Sequence, residues 1–350
     1  MGVFDHAEFD DHESLHFVND ASSGLRAIIA IHSTALGPAA GGCRRWSYTS
    51  NADALTDALR LSRGMTYKNA VAELPFGGGK AVILANRNTE KTPELLAAFG
   101  TAVESLNGRY VTAEDVGMSV EDMRLVQQKT QFVSGLPQSG DSAGGDPSPW
   151  TALGVFLGMQ AAVKVRLGND SLDGLTVAVQ GVGHVGAHLC RLLNDAGAKL
   201  IIADVNRDNL HSVSAALPVD IVAPAEILYS DADILAPCAL GNILTTATIP
   251  RIKAKVIAGA ANNQLSTLED GARLAAREIL YAPDYVINAG GIISVSHEYY
   301  GGSSEGKVHA DVEKIPLRLQ AIFAEASESG RPTNELADEF ARRLIAAGKK

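Results

Sequence analysis

The sequence predicts an α/β protein of two domains: an N-terminal α/β domain over 1–137 and a doubly wound parallel sheet over 148–330. A C-terminal helix over 331–350 is expected to return to the first domain. Three observations predict this architecture. At 350 residues the chain exceeds what one ordinary core holds. Residues 137–149, "PQSGDSAGGDPSP", are rich in Gly, Ser, Asp and Pro and carry no apolar periodicity, which marks a boundary. Beyond them, short apolar runs alternate with helical patterns, as βα units on a parallel sheet require.

In the first half, "LRAIIAIH" at 25–32 is a short apolar run and reads as a buried strand. "GPAAGGCRRW" at 37–46 reads as a loop. Ser50-x-x-Asp53 has the form of a capping box, and Ala54, Leu55, Ala58, Leu59, Ser62 and Met65 repeat behind it at helical spacing. Lys68 lies three residues past Met65, near the same face. Thr92-Pro93-Glu94 starts a second helix with Pro in its first turn. "RYVTA" at 109–113 reads as a strand, and Ser119-x-x-Asp122 opens the next helix. Asp115 therefore falls in a loop after a strand and before a helix, where α/β proteins place catalytic groups.

In the second half, Ser148-Pro149 starts a helix running to about Leu167. "LTVAVQ", "KLIIAD", "DILAPC", "AKVIAGA" and "ILYAPD" follow as strands with helices between them. The stretch 308–348 is helical and polar on one side. Residues 180–186 read "QGVGHVG", so Gly181, Gly183 and Gly186 form G-x-G-x-x-G with His184 and Val185 between them. The pattern alone is weak, but here it follows a strand and opens a helix. A second strand then ends in Asp204, eighteen residues after Gly186. Gly181 permits the tight turn, Gly183 lets a pyrophosphate approach the backbone, and Gly186 lets the helix pack on the strand. The helix N-terminus faces the phosphates. This is the fingerprint of a Rossmann-type dinucleotide-binding domain. Asp204 can accept hydrogen bonds from the adenosine ribose and would repel a 2′-phosphate, favouring NAD over NADP, although Arg207 stands close enough to soften that preference. His184 and His188 share a helix face at i, i+4, but no third ligand stands nearby, so no metal site is expected.

Composition narrows the class. Hydrophobic residues make up 46% and charged residues 20%, as in ordinary globular proteins. A net charge of −10 with no basic block argues against nucleic acid as a partner. No apolar run approaches a membrane span, and the acidic N-terminus does not read as a signal peptide. The isolated cysteines Cys43, Cys190 and Cys238 fit a reducing compartment. The chain reads as a cytoplasmic protein.

"PFGGGKAV" at 75–82 carries the functional question. A P-loop needs Gly five positions before the Gly-Lys and Ser or Thr after it; Leu74 and Ala81 stand there instead. The apolar run behind Lys80 reads as a buried strand, so the glycines are not a spacer. They strip side chains from around one lysine held at the start of a rigid element. Lys68 is the second lysine. If both ammonium groups share a partly buried cleft, the more buried one should have its pKa lowered and serve as a general base, while the other holds a carboxylate. The competing reading, two surface lysines on a turn, stays open on spacing alone.

"AIIAIHSTALGPAAGG", "GMTYKNA", "GGGKAVI", "GRYVTAEDVG", "APCALGN", "AGAANNQL" and "YAPDYVINAGG" together resemble the amino acid dehydrogenases of the glutamate/leucine/phenylalanine/valine family, across nearly the whole chain. The resemblance is closest to the short bacterial leucine, valine and phenylalanine members. It implies NAD-dependent oxidative deamination of an L-amino acid to a 2-oxo acid and ammonia, an N-terminal catalytic domain, and a cleft that closes on substrate. It further implies that Lys68 binds the substrate carboxylate, Lys80 is the catalytic lysine, and Asp115 assists proton transfer. Gly41 and Met65 match pocket and carboxylate-side positions. Asn262 matches an asparagine near the carboxylate and the nicotinamide, and Thr151 a residue contacting the carboxamide.

By the same resemblance the side-chain pocket maps onto Ala40, Gly41, Ala113, Ser134, Ile292 and Val295. None is charged, which argues against a γ-carboxylate substrate and for an apolar amino acid. Leucine and valine members usually carry leucine where this chain has Ala40. "PAAGG" and "LPFGGGK" resemble phenylalanine members, whereas "MTYKNA", "AEDVG" and "NNQL" resemble leucine and valine members. A branched-chain preference with leucine best is expected, with phenylalanine and valine as alternatives. A non-catalytic NAD-binding protein would keep the fingerprint without needing Lys68, Lys80 and Asp115 together. A homo-oligomer is expected from the resemblance. Trp150, beside Thr151, has no assigned role.

Overall fold

The computed structural model describes residues 2–85, 90–136, 146–239, 241–301 and 304–348. The chain divides into two compact units. Unit 1 comprises Met1–Gly145, Val295–Glu305 and Ala341–Lys350; unit 2 comprises Asp146–Ser294 and Gly306–Phe340. Most of the boundary segment expected at 137–149 lies outside the described residues, namely 137–145.

Unit 1 is built on a mixed sheet. An edge strand β1 (Ser14–Asp20) pairs antiparallel with β2 (Leu25–Ser33). The segment 37–46, expected as a loop, instead contributes two short strands, β3 (Ala39–Ala40) and β4 (Cys43–Trp46). They are too short and too glycine-flanked to show a period, and both are held by parallel pairing to one neighbouring strand. Helix α1 (Asn51–Val71) follows, capped by the Ser50 side chain on the Asp53 N–H. Next come that shared neighbour, β5 (Gly77–Leu84), then α2 (Pro93–Glu104) with Thr92 as its cap. The N-terminal part closes with β6 (Tyr110–Val111) and α3 (Val120–Gln127), which starts in a complete capping box between Ser119 and Asp122. The strand order is β1-β2-β5-β3-β6, with β4 also on β5. One face packs on α2 and α3 around Leu25, Ile29, Ile31, Phe99, Tyr110 and Met123. The other packs on α1 through Ile28, Ala30, Ala54, Ala58 and Val82.

Unit 2 opens with α4 (Ser148–Leu167) and continues through β7 (Thr176–Gln180), α5 (His184–Asp195), β8 (Lys199–Ala203), α6 (Arg207–Ser214) and β9 (Val219–Ile221). Then follow β10 (Ile234–Pro237), β11 (Val256–Ile257), α7 (Glu269–Ala276) and β12 (Leu280–Tyr281). The sheet is parallel throughout, in the order β12-β11-β10-β7-β8-β9. Strand order therefore reverses beside β7, whose carboxyl end carries the glycine fingerprint. That is where a doubly wound sheet binds its ligand. The short, half-exposed β9 has no counterpart in the sequence reading, because three residues hold no detectable period.

The remaining helices are α8 (Asp284–Ile287), α9 (Gly290–Tyr300), α10 (Glu305–Val312), α11 (Ile315–Ser329) and α12 (Thr333–Gly348). Gly154 and Gly158 of α4 leave the space that Ile287, Ile315 and Leu319 occupy. The units depart from the sequence ranges at two helices, because compactness follows packing rather than chain order. Residues 295–305 fall in unit 1, where Tyr300 donates to the Pro75 carbonyl at 2.8 Å. Residues 331–340 stay in unit 2, where Thr333 donates to the Tyr281 carbonyl at 2.7 Å and Tyr285 to Asp338 at 2.7 Å. Residues 341–350 belong to unit 1, where Arg342 donates to the Tyr67 hydroxyl at 2.9 Å. No described helix is long and apolar enough to cross a membrane.

Candidate active site

The three glycines before Lys80 are packing residues. A Cβ on Gly77 would overlap the Ser33 carbonyl, and one on Gly78 would overlap the Thr66 backbone and hydroxyl. One on Gly79 would lie 2.8 Å from the Tyr110 ring. None of the three has a positive φ, so close approach and not turn geometry selects glycine here. The Asn69 side chain fixes this contact by donating to the Gly77 carbonyl at 2.6 Å. Helix α1 thus lies directly on β5, bringing the turn that carries Met65 and Lys68 onto the strand that carries Lys80.

Alternation along β5 sends Gly78, Lys80 and Val82 to the α1 face. Lys80 is 6% exposed. Its ammonium meets the Asp115 carboxylate, with Nζ 2.6 Å from Oδ2. Asp115 sits on the loop after β6, as the sequence places it. The same oxygen receives Arg44 Nε at 3.2 Å, and the Arg44 guanidinium continues to Asp57 at 3.0 Å. Tyr48 donates to Asp57 Oδ2 at 2.6 Å. Burial pushes the Asp115 carboxyl up, but Lys80 and then Arg44 outweigh it, and the net result is a carboxyl brought down to about 2. A buried ammonium and an ionised carboxylate on a rigid strand and a braced loop can pass protons to a substrate over a single hydrogen bond.

Ala40, Gly41, Met65, Ala113 and Ser134 gather at the same end of the sheet. Ala40 ends β3, paired with Gly78 on one side and Val111 on the other. The Gly41 N–H donates to the Val111 carbonyl at 3.1 Å, and Tyr110 OH donates to the Gly41 carbonyl at 2.6 Å. A Cβ on Gly41 would overlap the Gly79 carbonyl and come within 3.2 Å of Met65. Ala113 accepts from the Cys43 N–H at 2.8 Å, and the Ser134 N–H donates to Thr112 at 2.8 Å. Val295 falls in unit 1 and Ile292 in unit 2, both on α9.

In unit 2 the fingerprint glycines divide their work. Gly181 has φ +89°, and a Cβ there would lie 2.6 Å from that of Ala239. A Cβ on Gly186 would overlap the Gly181 carbonyl, so this glycine seats α5 on the turn. Nothing lies within 4 Å of a Cβ on Gly183, which leaves that side of the turn open. Asp204 follows β8 and braces the turn by accepting from the Val182 N–H at 2.8 Å; its other oxygen accepts from the Asn206 N–H at 2.8 Å. An open backbone turn at a helix N-terminus with a carboxylate at the next strand end fits a dinucleotide. His184 and Val185 are the first two residues of α5. Thr151 lies in the first turn of α4 and donates to the Pro147 carbonyl at 3.1 Å. Trp150 beside it sets its ring edge against His309 at 6.4 Å. Asn262 is exposed, on a turn held by the buried Gln264, whose amide donates to the Gly259 and Ala261 carbonyls at 3.0 Å.

Three residues about these sites escaped the sequence reading. Arg44 reaches Asp115 across 71 positions, and its only sequence signal is an arginine in a glycine-rich stretch. Glu298, 5% exposed, accepts from the Leu136 N–H at 2.7 Å and so ties α9 to the segment that carries Ser134. Asn288 donates to Asn262 from within "YAPDYVINAGG".

Residues 12–132 match the family model described as Glu/Leu/Phe/Val dehydrogenase, dimerisation domain, and residues 202–342 match the one described as Glutamate/Leucine/Phenylalanine/Valine dehydrogenase. The leucine dehydrogenase of Geobacillus stearothermophilus is 48% identical over 351 residues, covering 100% of this chain and 95% of that protein. A phenylalanine dehydrogenase of Bacillus thermotolerans is 43% identical over 98% of this chain and 91% of its own length. The crystal structure of the L-tryptophan dehydrogenase from Nostoc punctiforme superposes with a TM-score of 0.84 at 46% identity, covering 97% of each chain. On the two model matches and the full-length relatives together, this chain belongs to the glutamate/leucine/phenylalanine/valine dehydrogenase family.

Proposed function

We propose that this protein is an NAD-dependent amino acid dehydrogenase that deaminates apolar L-amino acids, leucine foremost, to the 2-oxo acid and ammonia. The observation that carries the reading is the 2.6 Å pair of Lys80 and Asp115 at the end of a glycine-lined strand, within a chain of this family. Gly181, Gly183, His184, Val185, Gly186 and Asp204 would hold the dinucleotide, with Thr151 and Asn262 towards its nicotinamide end. The cofactor held there would supply an acceptor for the hydride that leaves Cα. Lys80 would take a proton from the water that attacks the resulting iminium carbon. Asp115 carries protons to and from the substrate nitrogen as the carbinolamine collapses to the oxo acid and ammonia. In unit 1, Lys68 would take the substrate carboxylate and so orient Cα; in unit 2, Asn262 would offer its amide to a carboxylate.

Ala40, Gly41, Ala113, Ser134 and Val295 in unit 1, and Ile292 in unit 2, carry no charge, which supports an apolar substrate. Ala40 also supports a second reading, in which bulkier aromatic side chains are taken well, as the names of the phenylalanine and tryptophan relatives suggest. The carboxylate of Asp204 supports NAD over NADP. The dimerisation description of the matched unit 1 model, together with an edge strand whose Phe17 is exposed, supports a homo-oligomer.

The test is a panel of initial rates with NAD and with NADP, over leucine, isoleucine, valine, methionine, phenylalanine, tryptophan and glutamate. Fast NAD reduction on leucine with none on glutamate is the expected result. A preference for phenylalanine or tryptophan would keep the chemistry and replace the substrate. Turnover of no amino acid would leave a dinucleotide-binding protein.

A further inference from the structure

Asn288 lies between α8 and α9 and is 3% exposed. Its Nδ2 donates to the Ala260 carbonyl at 2.9 Å and to Asn262 Oδ1 at 2.8 Å. The chemistry of these partners leaves one arrangement. A backbone carbonyl only accepts, so the amide of Asn288 must turn its NH2 group towards Ala260. The second hydrogen of that group points at Asn262 and needs an acceptor, which fixes Asn262 with its oxygen inward. Asn262, an exposed residue, then turns its own NH2 away from Asn288. An asparagine left free would offer either end of its amide; this one is committed to donating. A donor suits a carboxylate, and an outward carbonyl would repel it. The turn cannot yield to relieve the pair, because Gln264 clamps the carbonyls on either side of Ala260.

We propose that Asn288 is a positioning residue that sets the polarity of Asn262, so that the site takes a carboxylate in preference to the corresponding neutral amide. The proposal rests on the functional reading above, in which Asn262 meets the substrate carboxylate. Asn288→Asp tests it by taking away the N–H donor that holds the Asn262 oxygen inward, so that the Asn262 amide is no longer committed to donating.

The readouts are the KM for L-leucine and the competitive inhibition constants of 4-methylpentanoate and 4-methylpentanamide, all at saturating cofactor, with the thermal midpoint as control. In Asn288→Asp the KM at saturating cofactor should rise by roughly tenfold or more, and the preference for the acid over the amide should fall by a similar factor. A double-mutant cycle gives an independent decision if that variant does not fold. Asn288→Ala should raise the KM in the parent protein and add nothing in an Asn262→Ala background. An unchanged acid-to-amide ratio, or equal losses from Asn288→Ala in both backgrounds, would overturn the proposal. Turnover of L-leucine by the unmodified protein reports on the function alone, so the two failures are separable.

Discussion

Lys80 Nζ stands 2.6 Å from Asp115 Oδ2, and that same oxygen receives Arg44 Nε at 3.2 Å. One carboxylate oxygen thus answers to two cations, the first on β5 and the second on β4. Asp115 is held ionised and fixed in direction, while Arg44 is itself anchored by Asp57. Arg44→Ala should therefore free the carboxylate, raise its pKa and lower kcat by about tenfold, with Arg44→Lys recovering part of the loss. The check is kcat against pH for the three proteins. An unchanged kcat in Arg44→Ala would show that the second cation is dispensable.

Two glycines of different purpose should fail differently. Gly78→Ala places a Cβ in the Thr66 backbone, so the strand and α1 must separate at a cost of about 3 kcal/mol or more, read as a lowered urea midpoint. Gly183→Ala meets nothing within 4 Å, and Gly183 has φ −69°, so stability should hold. Its loss should appear in NADH affinity instead. Equal loss of stability in both would contradict this division.

Ala40 is 4% exposed, between Gly78 and Val111. If Ala40 lines the substrate pocket as proposed, Ala40→Leu takes room from bulky side chains. The ratio of kcat/KM for phenylalanine to that for leucine should fall by about 10-fold or more, the scale of a small steric difference in an apolar pocket. A ratio that does not move would take Ala40 out of the pocket.

Acid should destabilise unit 1 in two stages. His32 is buried against His12 and donates or accepts with Thr66 at 2.8 Å. Burial, and next the neighbouring His12, hold its imidazole down to about 4. A folded pKa below the unfolded value near 6.5 gives stability that is complete above about 6.5 and lost as pH falls to about 4, on the order of 3 kcal/mol. The Asp115 carboxyl, held at about 2, contributes stability above about 4 that is lost as pH falls through 2. Thermal midpoints from pH 7 to pH 4 should fall, and His32→Gln should flatten that slope. An equal slope in the variant would place the acid sensitivity elsewhere.

What the sequence disclosed follows the range of each interaction. Helix caps such as Ser50, Thr92 and Ser119 act over three residues, and all three cap their helices. The fingerprint is a local device too, and Gly181, Gly183 and Gly186 each occupy a distinct steric setting. The parallel sheet of unit 2 was legible because its central strands are continuous apolar runs. The segment 37–46 was not, since β3 and β4 owe their form to pairing with β5, more than thirty residues away. The glycines before Lys80 were correctly separated from a P-loop, but the groups that require them, Ser33, Thr66 and Tyr110, appear only in three dimensions. Arg44, Glu298 and Asn288 act through partners distant in sequence and look like ordinary polar residues until the chain is folded.

The most direct measurement compares NAD reduction on L-leucine by the unmodified protein and by Lys80→Ala at mildly alkaline pH. The expected result is rapid turnover by the former and a loss of at least about a thousandfold in kcat by the latter, with NADH affinity preserved. Retention of turnover in Lys80→Ala would contradict the assignment of proton transfer to the lysine that the three glycines enclose.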